Sequence, residues 1–232
     1  MLTGQSARKK VIPMKTPLTK EKIQHHLTYS LWKYALLALV GIFGWNLIYS
    51  ATAPQAPEEK KVVMGVYSFG SDTNINAYME QVRVDLMPDM EEMYATFIAP
   101  DATYGDMILS TRIAARECDI YVLPRTQFQN YAAQGAFMAL DEVCPDLLAE
   151  LDAAGVSLSR GNRAYEETGE KHQYGIPCAG LPGLQPMLMN ETSDTYLCIF
   201  TVTGNDDNVI KFFEQFTRDM LVAPTVVELP AQ

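Results

Sequence analysis

The hydrophobic pattern divides the chain into two unlike parts, and the first is an apolar stretch near the N-terminus. Residues 32–53, WKYALLALVGIFGWNLIYSATA, carry no charged side chain after Lys33. A helix needs about 20 such residues to cross the hydrocarbon core of a bilayer. A buried core helix is also apolar on every side, but soluble core helices of this length rarely lack charge. The pattern therefore predicts one transmembrane helix over residues 31–53.

Beyond this stretch, short apolar runs rich in β-branched residues alternate with amphipathic segments. Apolar runs of this kind are typical of buried strands, and the segments between them have helical periodicity. The predicted strands are 62–67, 93–99 and 118–124, and the predicted helices are 76–87, 105–117 and 126–134. Because strands and helices alternate, we expect a parallel sheet with helices packed on its faces.

The second half of the chain has a less regular pattern. Residues 165–176 predict a hairpin that turns at 168–170, and residues 177–186 are too rich in Gly and Pro for regular structure. A strand is predicted at 196–203 and an amphipathic helix at 206–220. The predicted domain organisation is a basic arm (1–30), a transmembrane helix (31–53), a linker (54–61), an α/β domain (62–222) and a flexible tail (223–232).

Charge separates the two sides of the apolar stretch. Residues up to Lys33 have a net charge of +6, and the chain as a whole has −10, which leaves −16 for the rest. The positive-inside rule then predicts a cytoplasmic N-terminus and an extracytoplasmic domain in the cell membrane. A cleaved signal peptide is the alternative, because Ala51-Thr52-Ala53 resembles a cleavage site. We favour an uncleaved anchor, since Pro54 follows directly and the basic arm is long.

Composition limits the chemistry of the α/β domain. Its acidity excludes nucleic acid as a partner, because phosphates would be repelled. No metal-binding spacing such as CxxC and no Gly-rich phosphate loop occurs, so we expect no metal and no cofactor. The cysteines fall on the predicted outer side, where disulfides are allowed, and the sequence leaves open whether any forms. They are Cys118, Cys144, Cys178 and Cys198.

The hypothesis of an enzyme depends on one pair of residues. His172 and Cys178 are six residues apart, and a Cys-His nucleophile pair is conceivable. No orienting group or oxyanion motif lies near them, and neither GxSxG nor HExxH is present. We therefore expect a protein that is not an enzyme.

Three stretches of the second part carry motifs in a definite order. The first joins CDIYVLP at 118–124 to YAAQGAFMALD at 131–141. The second is TGEKHQYGIP at 168–177, followed by LMN at 188–190. The third runs over 196–216, from YLCIF to FFEQF. In this order they resemble the extracytoplasmic solute-binding proteins of ABC importers, which have the two-lobed type II periplasmic-binding fold.

This resemblance implies a mostly parallel, three-layer α/β domain that corresponds to about one lobe of such a protein. It also implies capture of a small solute, sugar or peptide-like, for transport, with a permease or other membrane protein as partner. The sequence departs from the family between Asn190 and Tyr196, where most of the second lobe is missing. A ligand held by closure of two lobes would have one wall here. The alternative is a non-catalytic interaction module of a membrane or envelope complex that has lost its ligand pocket.

Topology predicts where a surviving ligand site would lie. In open α/β sheets ligands bind beyond the carboxyl ends of the strands. The residues that follow the predicted strands there are Ser68, Phe69, Ser71 and Arg125, and Tyr174 of the hairpin is added to them. An aromatic ring together with hydroxyl and guanidinium donors would suit a sugar or a peptide-like solute.

Overall fold

The computed structural model describes residues 20–52, 56–101, 103–201 and 204–222. The chain forms two units, Met1–Gln55 and Ala56–Gln232. Most of the predicted basic arm, part of the linker and the predicted tail (223–232) lie outside the described residues.

The described part of the first unit is one helix, α1 (Lys20–Thr52), of 33 residues. At about 1.5 Å per residue it is roughly 50 Å long, more than a bilayer core requires. It contains the window Trp32–Tyr49, whose mean hydropathy is 1.2 and in which no side chain is buried. By length and composition this window suits a membrane span, and a signal sequence near the N-terminus passes the same test.

The second unit is built around a five-stranded sheet with the order β2-β1-β3-β7-β6. Its strands are β1 (Lys61–Tyr67), β2 (Glu92–Ile98), β3 (Ile120–Pro124), β6 (Ile176–Pro177) and β7 (Thr195–Ile199). β1 pairs in parallel with both β2 and β3, so Val66 lies opposite Phe97 and Val122. The predicted α/β class is therefore confirmed. The last two strands add a feature beyond the predicted parallel order, because β7 runs antiparallel to β3 and β6.

Helices cover both faces of this sheet and make the predicted three layers. They are α2 (Thr73–Leu86), α3 (Gly105–Ala115), α4 (Arg125–Ala133), α5 (Leu140–Val143), α6 (Pro145–Ala153), α7 (Leu184–Leu188) and α8 (Asp206–Met220). Alternate residues of β1 point to opposite faces. Val62 packs with α2 and α8 in the larger core, and Val63 packs with Leu109 of α3 and Phe128 of α4 in the smaller one.

The region between β3 and β7 differs most from the sequence prediction. The hairpin forms, but its strands are β4 (Asn162–Ala164) and β5 (Lys171–Gln173), and the predicted strand at Tyr165 belongs to the turn. The sequence pattern assigns no element to 140–153, where α5 and α6 form because Pro145 occupies the first turn of α6 and its ring suits that position. Pro186 is likewise tolerated in the first turn of α7, within the stretch predicted to be irregular.

The sequence leaves open whether the cysteines form a disulfide, and the structure answers this. All four are free thiols, and all four are buried in the two cores. They therefore act as small apolar side chains, and hydrophobic packing holds this domain together without a disulfide.

Candidate functional site

Four of the five candidate residues lie at the carboxyl end of the sheet. Ser68 follows β1 directly and is buried, and its amide donates a hydrogen bond to Ile98 O at 3.0 Å. Arg125 follows β3 and begins α4. Because β1 and β3 are parallel neighbours, the turn that holds Ser68, Phe69 and Ser71 lies on the same side of the sheet as Arg125.

The connection between α7 and β7, residues 188–194, closes over this end of the sheet, and we call it the closing segment. Asn190 Nδ2 donates a hydrogen bond to Ser68 Oγ, which also accepts one from Gly70 N at 3.1 Å. Ser71 N donates to Leu188 O at 3.2 Å. The serine groups that would serve a ligand are therefore already bound within the chain.

Arg125 contacts Asp194, the last residue of the closing segment. Its guanidinium Nη2 lies 2.6 Å from Asp194 Oδ1, and its amide donates to Asp194 O at 3.1 Å. A hydrogen bond with Tyr196 and the charge of Asp194 raise the pKa of Arg125. The ion pair is still open to water, because the two side chains are 44% and 60% exposed.

Gly70 explains how the closing segment can lie so close to the β1–α2 turn. A Cβ atom at this position would clash with Leu188 O and would lie only 2.7 Å from Phe97 Cε1. Real Cβ atoms essentially never approach other atoms so closely. The absence of a side chain at Gly70 is therefore what lets the backbone of the closing segment pack on this turn.

The other two candidates have different surroundings. Phe69 is 73% exposed, next to the buried Ser68. Tyr174 is buried and is not brought to the others. It precedes β6, which runs in the same direction as β3, so it lies towards the amino end of the sheet. Its ring packs edge-on against His172, with centroids 5.9 Å apart, and burial raises the pKa of its hydroxyl.

Sequence reasoning missed Asn190 and Asp194 as members of this cluster. Both are ordinary polar residues in a short connection, and no local pattern indicates that they reach Ser68 and Arg125. The one available signal is the length of the connection, since a segment this short must cross the sheet end directly to reach β7.

The conceivable Cys-His pair is not assembled. His172 Nδ1 lies 2.9 Å from Asp141 Oδ2, while the thiol of Cys178 donates to Ile176 O at 3.8 Å. Burial raises the pKa of Cys178 to about 12, so its thiolate is scarce at neutral pH. Within the described ranges, no group of three or more His, Cys, Asp or Glu could hold a metal ion.

Two grooves lie beside the edge strand β2. The α3 groove, of about 560 Å³, is lined by Lys61, Arg112 and Arg116 among others. The α2 groove, of about 430 Å³, is lined by Ser71 and Asn76 among others. Tyr94 and Thr96 of β2 line both, and Ser71 is the candidate residue that the α2 groove includes.

Comparison with known proteins gives structural neighbours only. No protein-family model matches the chain, and no curated protein matches it. Solved structures similar to half of it include an extracellular solute-binding protein family 1 member from Alicyclobacillus acidocaldarius (19% identity, TM-score 0.31). They also include the galacto-N-biose-/lacto-N-biose I-binding protein of an ABC transporter from Bifidobacterium longum (17% identity, TM-score 0.36). The match spans 27% and 28% of those chains. Both of these neighbours are solute-binding proteins.

Proposed function

We propose that this chain is a single-pass membrane protein, with its N-terminus in the cytoplasm, whose extracytoplasmic α/β domain is a non-catalytic interaction module of a membrane or envelope complex. The apolar window of α1 and the opposite charges on its two sides support the anchor and its orientation. The motifs of the domain resemble those of a solute-binding lobe, and in this proposal the domain docks against another protein.

One observation carries this proposal. The closing segment uses Ser68, Ser71 and Arg125, the polar groups at the carboxyl end of the sheet, for contacts within the chain. A solute would have to break these contacts before it could bind. The described residues include no second lobe whose contacts with a solute could replace the broken ones, because the closing segment leads directly into β7.

Solute capture for transport is the second candidate, and the exposure of two side chains favours it. Phe69 is 73% exposed and the Arg125 side chain 44%, at the same end of the sheet. An aromatic ring and a guanidinium at one end of a sheet would suit a sugar or a peptide-like solute. The partner would then be the permease of an importer.

A thermal-shift screen separates the two functions. The full chain in detergent micelles is melted with a panel of sugars, amino acids and short peptides, and Arg125→Ala is melted beside it. A ligand that binds the folded state at 100 times its Kd adds about 2.7 kcal/mol of stability. We expect no shift for the full chain. A saturable shift that Arg125→Ala removes would overturn the interaction module in favour of solute capture.

The membrane assignment and the docking function have their own tests. Protease added outside intact cells should degrade the domain and spare the basic arm, and the opposite pattern would refute the orientation. Cross-linking in native membranes should join the domain to one protein in a fixed ratio. A chain recovered only uncross-linked, from cells in which protease reaches the domain, would refute the interaction module.

A further inference from the structure

Two exposed apolar side chains lie where the closing segment packs on the β1–α2 turn. Phe69 of the turn is 73% exposed, and Met189 of the closing segment is 62% exposed. One hydrogen bond joins Asn190 to Ser68, and another joins Ser71 to the residue before Met189. Because these two bonds bracket both residues in sequence, Phe69 and Met189 belong to one surface. We call them the apolar pair.

The backbone conformation of Met189 disfavours a side chain. Met189 follows the last residue of α7 with φ of 52° and ψ of 37°, in the left-handed region. Glycine is the usual residue at such a helix end, because a Cβ atom is strained there. The Met189 side chain is largely exposed, so packing within the domain does little to offset this strain. Strain of this kind clusters at binding sites. It therefore points to a contact of the side chain outside the domain.

Two exposed carboxylates border the apolar pair. Asp72 directly precedes α2, and its Oδ2 accepts a hydrogen bond from Asn76 Nδ2 at 3.3 Å. Glu191 follows Asn190, and its Oε1 accepts from Ser193 N at 3.1 Å. Within the described ranges, both carboxylates thus bond to neutral groups and not to a cation. The net charge of −16 beyond the apolar stretch adds to their field. The complement of this border is a surface that carries Lys or Arg.

The α2 groove adjoins the apolar pair and has the same sign of charge. It has a volume of about 430 Å³, and Gly70, Ser71 and Asp72 of the β1–α2 turn line it. Among the described residues that line this groove, Asp72 alone is charged. A basic side chain from another molecule would therefore meet a carboxylate in the groove and no competing cation.

We propose that Phe69 and Met189 anchor the domain in an apolar recess of a partner protein, whose rim carries Lys or Arg side chains that pair with Asp72 and Glu191. This inference rests on the proposed interaction module and identifies its docking surface. Interface cores are enriched in aromatic residues and methionine, and their rims are polar. Anionic lipid and a second acidic copy of this chain would both be repelled by the two carboxylates, so the chemistry favours a basic protein surface.

Photo-cross-linking of the full chain in native membranes tests this surface. A benzoylphenylalanine in place of Phe69 should form an adduct with one membrane or envelope protein. The matched control replaces Val84, which is 58% exposed near the other end of α2, and should form no adduct with that protein. Equal adducts from both positions would overturn the proposal. Adducts from position 69 with lipid alone, or with a second copy alone, would also overturn it.

Met189→Gly separates docking from folding. The variant relieves the backbone strain, so the Tm of the full chain in micelles should stay the same or rise. The fraction of chain that chemical cross-linking joins to the partner should nevertheless fall at least about tenfold, as expected for the loss of an anchor residue. An unchanged cross-linked fraction would refute the role of Met189.

Neutral variants test the charged border. Asp72→Asn combined with Glu191→Gln should lower the cross-linked fraction several-fold, and more at low salt than at high salt. Asp85→Asn, which removes an exposed acid near the other end of α2, should leave the fraction unchanged. An equal effect of the control and the double variant would show that net charge, and not this border, is recognised, and would overturn the proposal.

The unsubstituted chain separates failure of this surface from failure of the proposed function. If chemical cross-linking joins it to one protein in a fixed ratio, while the probe at position 69 and the variants have no effect, the interaction module stands and the docking surface is wrong. If the unsubstituted chain is joined to no protein, both are wrong.

Discussion

The substitution Gly70→Ala is the sharpest test of the closing segment. The added methyl group would collide with Leu188 O and with the ring of Phe97, 2.7 Å from its Cε1 atom. Relief requires the backbone of the closing segment to move, since a carbonyl oxygen cannot rotate away as a side chain can. The hydrogen bond from Ser71 N to Leu188 O is lost in that movement.

The expected cost follows from these two effects. Overpacking by one methyl group costs about 1–3 kcal/mol, and the lost hydrogen bond adds about 1 kcal/mol. The sum is about 2–4 kcal/mol. For a domain of this size, each kcal/mol lowers Tm by about 2–4 °C. We therefore expect near-UV circular dichroism of the full chain in micelles to show a Tm lower by about 4 °C or more.

Gly169→Ala is the matched control, because the same methyl group meets open space there. Gly169 has φ of +73°, so alanine costs only its backbone strain, about 1–2 kcal/mol. Suppose that Gly70→Ala lowers the free energy of unfolding no more than Gly169→Ala does, and that the Ser71 amide exchanges hydrogen as slowly as in the unsubstituted chain. The closing segment would then not pack on the β1–α2 turn. The internal pairing from which the interaction module is inferred would then be wrong.

Three further predictions concern other parts of the domain. Asp119→Ala should destabilise it by about 2–3 kcal/mol in urea unfolding, because Asp119 Oδ2 accepts a buried hydrogen bond from Val63 N at 2.8 Å; a cost below about 0.5 kcal/mol would refute this role. The hydrogen bond to Asp141 raises the pKa of His172, so the stability that this pair adds should be present at about pH 5.5 and lost as pH rises through the pKa of the folded state. His172→Gln should therefore lower Tm more at about pH 5.5 than at about pH 9, and an equal effect at both would contradict the coupling. Thiol reagents should label the cysteines only on unfolding, and reductant should leave Tm unchanged, because all four thiols are free and buried; rapid labelling of the folded chain, or a Tm that reductant lowers, would contradict this. These are Cys118, Cys144, Cys178 and Cys198.

The parts of the fold that sequence predicted are those with strong local periodicity. The first three strands and the helices between them differ from the prediction by a few residues, and α8 was placed at its observed bounds because its apolar residues follow one helical face. The antiparallel direction of β7 could not be predicted. Its run of apolar residues is compatible with either direction, and the direction follows from the short connection that returns from α7.

The positions of the candidate residues in the sheet were predicted in part. The rule that ligands bind beyond the carboxyl ends of strands predicted that Ser68 and Arg125 lie at one end of the sheet. Tyr174 lies apart from the other four candidates, and this could not be foreseen because the position of the hairpin relative to the sheet depends on β6, a two-residue strand that carries no usable sequence signal. The contacts of Asn190 and Asp194 are set by the path of the backbone, which local patterns do not contain.

The position of β7 in the sheet has a consequence for the biogenesis of the domain. β7 occupies an inner place between β3 and β6, although it is the last strand of the described chain. The partners Ile120 and Ile199 are far apart in sequence, and contacts of this kind form late and slowly. The apolar window of α1 leaves the ribosome long before β7 does. In a chain anchored as proposed, membrane insertion can therefore precede folding, and the nascent domain would cross the bilayer as an incomplete sheet that depends on chaperones for protection.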